Sequence, residues 1–182
     1  VDVSVEEIRV ALMDVHTRIA GERRLPAPSG KNPRDYTLLA ARAFRELVEE
    51  SGVDEGKIIG CGVSTPGPVN AQTGEIFHPP NLPWGVVPFK DLMEEALKMP
   101  VKVEKDANLS ALGERWRGAG RDVENLIYVL VGEGIGGGIV IGGTLYQGNP
   151  FGAGEIGHMT VDIDGFRCNC GNYGCLEAMA SG

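Results

Sequence analysis

The stretch Ala153-Gly-Glu-Ile-Gly-His158, followed by Cys168-Asn-Cys170-Gly-Asn-Tyr-Gly-Cys175-Leu-Glu177, decides how the rest of the chain is read. It holds three of the four cysteines and one of the three histidines. Two acids, Glu155 and Glu177, bracket the cluster. The spacing H-x9-C-x-C-x4-C offers one imidazole and three thiolates, a donor set suited to structural zinc in tetrahedral geometry. Gly165, Gly171 and Gly174 supply turns that let side chains so close in sequence converge. With His158, Cys168, Cys170 and Cys175 all bound, no coordination position stays open, so the expected metal is a scaffold for Glu155 and Glu177, not a reagent. The competing reading is a redox dithiol or a cluster of buried free cysteines. Cys-x-Cys is shorter than the usual dithiol spacing.

Over the whole chain the composition is that of a globular protein, 42% apolar. Its 27 glycines are concentrated after residue 113 and interrupted by apolar residues, which points to tight turns and close backbone approach instead of a linker. The net charge of -8 disfavours non-specific binding to nucleic acid or anionic membrane. No apolar run is long enough to span a bilayer, and Val1-Asp-Val-Ser-Val-Glu-Glu7 lacks the features of a signal peptide. Clustered cysteines fit a reducing cytoplasm better than a disulfide framework.

Period-two alternation at Ile8, Val10 and Leu12 predicts paired strands over 1–25. Residues 35–50 have helical period, and Ser51-Gly52 stops them. Lys57 to Val63 reads as a strand covered on both faces. An irregular stretch runs to Trp84, and Pro88 opens a second helix. Val101 to Val103 is a short strand, Asn108 to Arg117 a helix, and Leu126 to Val131 with Ile135 to Ile141 a glycine-rich hairpin. This order predicts an α/β chain with a mixed sheet. Its domains are expected at 1–123, a near-complete first lobe, and 124–182, the start of a truncated second lobe.

These residues resemble the ROK family, which contains bacterial sugar kinases and sugar-responsive transcriptional repressors. The resemblance rests on Gly154-Glu-Ile-Gly-His158 and on Cys168-x-Cys170-Gly-x-x-Gly174-Cys175-Leu-Glu177. It extends to Thr65-Pro-Gly-Pro-Val69, Asn81-Leu-Pro-Trp84, Asp106-Ala-Asn108, Ala111-Leu-Gly-Glu114 and Gly134-Ile-Gly-Gly-Gly-Ile139. It implies an actin-like, ribonuclease-H-like fold of two α/β lobes with a monosaccharide bound in the cleft between them, and a homo-oligomer. It further implies that Asp106 accepts the proton of the phosphorylated hydroxyl, and that Glu155, His158 and Glu177 face the sugar. By the same resemblance His158 also ligates zinc. Pro66, Gly67 and Asn81 are implied first-lobe contacts. Trp84 either stacks on the sugar or covers the core.

The chain departs from the family's kinases in three places. Where they carry Asp-x-Gly-Gly-Thr, this chain has Asp2-Val-Ser4-Val5-Glu6-Glu7. Where they carry Gly-Thr-Gly-x-Gly-x-Gly, it has Gly132-Glu133-Gly134-Ile-Gly136-Gly-Gly138. Carboxylates in phosphate loops oppose the anion they should admit. Lys105 replaces a sugar-contacting Asn and is expected to pair with Asp106 or a neighbouring Glu. The expectation is therefore a non-catalytic, sugar-binding effector domain of a transcriptional regulator, reaching DNA through a helix-turn-helix domain not present in this sequence. The alternative is an ATP- and Mg2+-dependent sugar kinase with Asp106 as base and Glu133, Gly134 and Gly136 in its phosphate turn.

Overall fold

The computed structural model describes residues 1–149 and 151–181. They form two compact units, Val1–Glu104 and Lys105–Gly182. In the first, β1 (Asp2–Val3), β2 (Glu7–Met13) and β3 (Ile19–Pro26) make an antiparallel meander. Ile8, Val10 and Leu12 are buried while Arg9 and Ala11 are only half-buried, as a one-faced strand requires.

Helix α1 (Pro33–Ser51) covers that face with Tyr36, Ala40, Phe44 and Leu47. Asn32 caps it, its Oδ1 accepting from the Arg34 amide at 2.9 Å, with Pro33 in the first turn where no N–H is needed. Gly52 ends it in the left-handed region, φ 65°. Strand β4 (Cys61–Thr65) runs parallel to β1.

The stretch expected to be irregular holds a small antiparallel sheet of β5 (Val69–Asn70), β6 (Glu75–Phe77) and β7 (Val86–Val87). Helix α2 (Phe89–Leu97) and β8 (Val101–Lys105) follow. The main sheet has the order β3-β2-β1-β4-β8. Phe89 and Met93 are fully buried, each contributing up to about 1.5–3 kcal/mol by burial.

The strand predicted over Lys57–Val63 begins later. Residues Glu55–Lys57 form a 3-10 turn capped by Asp54, and Ile59 is 84% exposed. Pairing starts only where the Cys61 amide donates to the Pro100 carbonyl.

The second unit contains α3 (Asp106–Arg117), β9 (Leu126–Val131), β10 (Ile135–Ile141), β11 (Thr144–Leu145), a 3-10 turn at Ile156–His158 and α4 (Leu176–Ala180). Its antiparallel sheet has the order β11-β10-β9, and α3 packs on β9 and β10. Helix α3 precedes the hairpin in sequence but packs on it, and the compact units divide at 104/105.

Candidate functional site

The glycines of β10 explain where the polar side chains of the second unit sit. A Cβ on Gly138 would lie 2.2 Å from the Ala107 carbonyl oxygen and 2.7 Å from the Ala111 Cβ, so α3 rests directly on the strand. Gly136 meets the same helix, at 3.4 Å from Ala107. On Gly137, a Cβ would lie 3.0 Å from the Gly154 carbonyl oxygen, and the Gly137 amide donates to that oxygen at 2.8 Å. Gly154 takes φ 79°, and a Cβ there would strike the Gly137 carbonyl at 2.1 Å. Loop 153–158 thus lies backbone to backbone on β10, which presents Glu155 and His158.

Asp106 is the first residue of α3, half-buried, with its Oδ1 accepting from the Ala107 amide at 2.6 Å. The helix N-terminus favours its negative charge. Before it, Lys105 is buried, 5% exposed in its side chain, and its Nζ lies 2.5 Å from Glu155 Oε1 and 3.4 Å from the Gly154 carbonyl. The glutamate that Lys105 meets is Glu155, fifty positions along the chain. The other oxygen of Glu155, Oε2, stands 3.8 Å from His158 Nε2. That is too long for a direct hydrogen bond, yet a hydroxyl between them can accept from the ring N–H and donate to the carboxylate. Glu177 is buried at the start of α4 and holds the Ile135 amide through Oε2 at 2.8 Å, tying α4 to β10.

The four expected metal ligands converge. The donor atoms of His158, Cys168, Cys170 and Cys175 all lie within 4.8 Å of one another. Cys168 Sγ is 3.6 Å from His158 Nδ1, and Cys170 Sγ is 3.7 Å from Cys175 Sγ. A tetrahedral zinc with sulfur at about 2.3 Å has edges of about 3.5–3.8 Å, which these two separations match, and one imidazole with three thiolates is a donor set that suits the ion. All four cysteines of the chain are free. Burial pushes the Cys175 thiol up to about 12, reinforced by hydrogen bonds with Cys170 and Cys168, and burial also raises Cys168. A metal at this site would have to displace those protons. Nδ1 faces the cluster and Nε2 faces Glu155, so one ring serves both groups.

In the first unit, Gly67 turns at φ 87°, and its missing Cβ would stand 2.7 Å from Pro79 Cβ, which brings the Pro66-Gly67 turn against the loop before Asn81. Trp84 belongs to the core. It is 6% exposed, stacks on Phe89 at 5.5 Å, meets Tyr36 edge-on at 5.2 Å, and donates Nε1 to the Lys31 carbonyl at 2.5 Å. At the β1–β2 turn, Ser4 Oγ accepts from the Glu6 and Glu7 amides at 3.2 and 3.0 Å. Glu6 and Glu133 are exposed on their turns, while Gly134 and Gly136 are half-buried.

The ROK family model matches residues 1–182, and the chain belongs to that family. It is 38% identical over 181 residues to a putative xylose repressor of Caldicellulosiruptor sp. (strain Rt8B.4), covering 100% of this chain and 45% of the repressor. It is also 38% identical over 182 residues to a glucokinase of Halalkalibacterium halodurans, covering 100% of this chain and 55% of the kinase. Among solved structures, a ROK family glucokinase from Streptomyces griseus in complex with glucose and AMPPNP matches with a TM-score of 0.84 at 32% identity. That match covers 99% of this chain and 55% of the glucokinase. The chain therefore spans about half the length of these relatives. The likeness supports the expected actin-like, ribonuclease-H-like class.

The expectation of a non-catalytic effector domain is corrected by these relatives. A glucokinase matches over the whole chain at the same identity as a repressor, so the altered turns do not set the chain apart from the kinases. The physical reason lies in the turns. Phosphate loops act largely through backbone N–H groups, and the two acids that suggested loss of nucleotide binding, Glu6 and Glu133, are exposed at hairpin tips. Among the described residues no helix is long and apolar enough to cross a membrane.

Proposed function

We propose that this chain carries the sugar site and the general base of an ATP-dependent sugar kinase. The observation that carries the reading is Asp106 at the start of α3, in the same compact unit as Glu155 and His158, whose facing atoms are spaced to share one hydroxyl. Asp106 takes the proton of the attacking sugar hydroxyl. Glu155 and His158 hold a second hydroxyl, and Glu177 keeps α4 and β10 in register behind them. Pro66, Gly67 and Asn81 remain the proposed sugar-contacting residues of the first unit on the family resemblance alone. The glucose in the Streptomyces griseus relative makes a hexose the proposed substrate. ATP with Mg2+ is the proposed phosphoryl donor, facing the turn around Glu133, Gly134 and Gly136.

Zinc is the proposed occupant of His158, Cys168, Cys170 and Cys175, where it would supply structural cross-linking of the loop and a fixed tautomer of His158. His158 would then carry its proton on Nε2, as donor to the sugar.

The test is a coupled assay of ADP release on the full-length protein with glucose and ATP. Asp106→Asn should lower kcat by about 10²–10⁴-fold with little change in sugar affinity, the usual scale of general-base loss. Sugar-dependent turnover that survives this change intact would remove Asp106 from the mechanism. Absence of turnover in the unaltered protein would remove the kinase reading itself.

A further inference from the structure

We infer that Lys105 is a specificity-determining residue: by holding Glu155 it makes that carboxylate read one hydroxyl of a neutral monosaccharide instead of a vicinal pair. The inference rests on the kinase reading, in which Glu155 faces the sugar.

A lysine is almost never fully buried without a partner. Lys105 is 5% exposed, and its partner is Glu155, fifty positions along the chain. The bond is short, 2.5 Å, and charge-assisted. The same ammonium also reaches the carbonyl of Gly154, the residue before Glu155, at 3.4 Å. Lysine thus grips both the carboxylate and the backbone that carries it.

An unengaged carboxylate can accept from two neighbouring hydroxyls through its two oxygens. Here Oε1 is taken by the ammonium and Oε2 is the oxygen turned toward His158 Nε2. Oε1 keeps a second lone pair, but the ammonium stands against it at 2.5 Å, so the oxygen best placed for a ligand is Oε2, which with the ring N–H suits a single hydroxyl acting as donor and acceptor. The Lys105–Glu155 pair is neutral as a unit. The site therefore offers no uncompensated cation to an anionic sugar, and uronic acids or sugar phosphates gain nothing from it.

Calorimetry on the full-length protein with glucose and its monodeoxy analogues tests this. In the unaltered protein, one hydroxyl position should depend on Glu155. Lys105→Asn should add a second, adjacent position, at which deoxygenation now costs about tenfold in affinity, the scale of one hydrogen bond to a charged group. An identical deoxy profile in both proteins overturns the inference and reduces the ion pair to a loop anchor. Should Lys105→Asn fail to fold, Glu155→Gln gives an independent answer. It should erase the penalty at one position only, because just one oxygen was in use. Erasure at two adjacent positions overturns the inference while leaving the kinase reading standing. If the unaltered protein binds none of the sugars, the kinase reading falls and this inference falls with it.

Discussion

Two glycine-to-alanine changes on the same helix–strand pair should move stability in opposite directions. Gly138 lies in β10 opposite Tyr128, and its side of the strand is covered by α3. An added Cβ would sit 2.2 Å from the Ala107 oxygen, 2.9 Å from the Ala107 carbonyl carbon and 2.7 Å from Ala111 Cβ. None of these atoms can swing aside, since two belong to the backbone and the third is a methyl on a helix. Normal contact needs about 3.5 Å, so α3 must lift by roughly 1 Å.

Overpacking of this kind costs about 1–3 kcal/mol. For a chain of this size each kcal/mol lowers Tm by about 2–4 °C. Asp106 precedes Ala107 and moves with it, and a displacement of about 1 Å can cost about 10²-fold in rate. Gly113, on the same helix, is exposed and has open space where its Cβ would go. Gly113→Ala should therefore stabilise by about 0.5–1 kcal/mol, the helix-interior cost of glycine, and leave kcat unchanged. Thermal melts followed by circular dichroism, with kcat measured alongside, read both effects. An unchanged Tm for Gly138→Ala would refute the close packing of α3 on β10.

Metal content and acid sensitivity give two further checks. Mass spectrometry under native conditions should find about one zinc per chain, lost on His158→Ala or Cys175→Ser. Because burial holds the Cys175 thiol up near 12 without metal, protons compete with zinc, and retention against a fixed chelator should weaken steadily as pH falls. Retention independent of pH would exclude thiolate ligation. Glu22 is held below the usual carboxylate range by hydrogen bonds from Arg9 and then Arg24. A depressed folded pKa adds stability above the ordinary glutamate value, and that stability disappears as pH falls through the folded one. The Tm gap between the unaltered protein and Glu22→Gln should be present at pH 7 and close below about pH 4. A gap that persists at lower pH would assign the effect to packing.

Long periodic elements were legible from residues alone. Leu126–Val131 and Ile135–Ile141 form the expected hairpin, and α1 and α2 lie within a few residues of their predicted positions. The small sheet β5–β7 was not legible, because strands of two or three residues carry too little alternation to register. The cysteine–histidine cluster could be read because its members are close in sequence. The Lys105–Glu155 pair was not legible, since its members lie fifty positions apart and meet only through tertiary placement. Function was misread where the identity of two exposed turn residues, Glu6 and Glu133, was weighed above the similarity of the whole chain, which is as great to a glucokinase as to a repressor.

Three consecutive glycines make β10 unusually thin, with α3 seated on one side and loop 153–158 on the other. Variation in such a protein is channelled accordingly. Gly137 and Gly138 tolerate almost no addition, because an added atom there presses on the loop bearing Glu155 or on the helix bearing Asp106. At Lys105, by contrast, a side chain can be exchanged while the spacing between the two segments stays fixed.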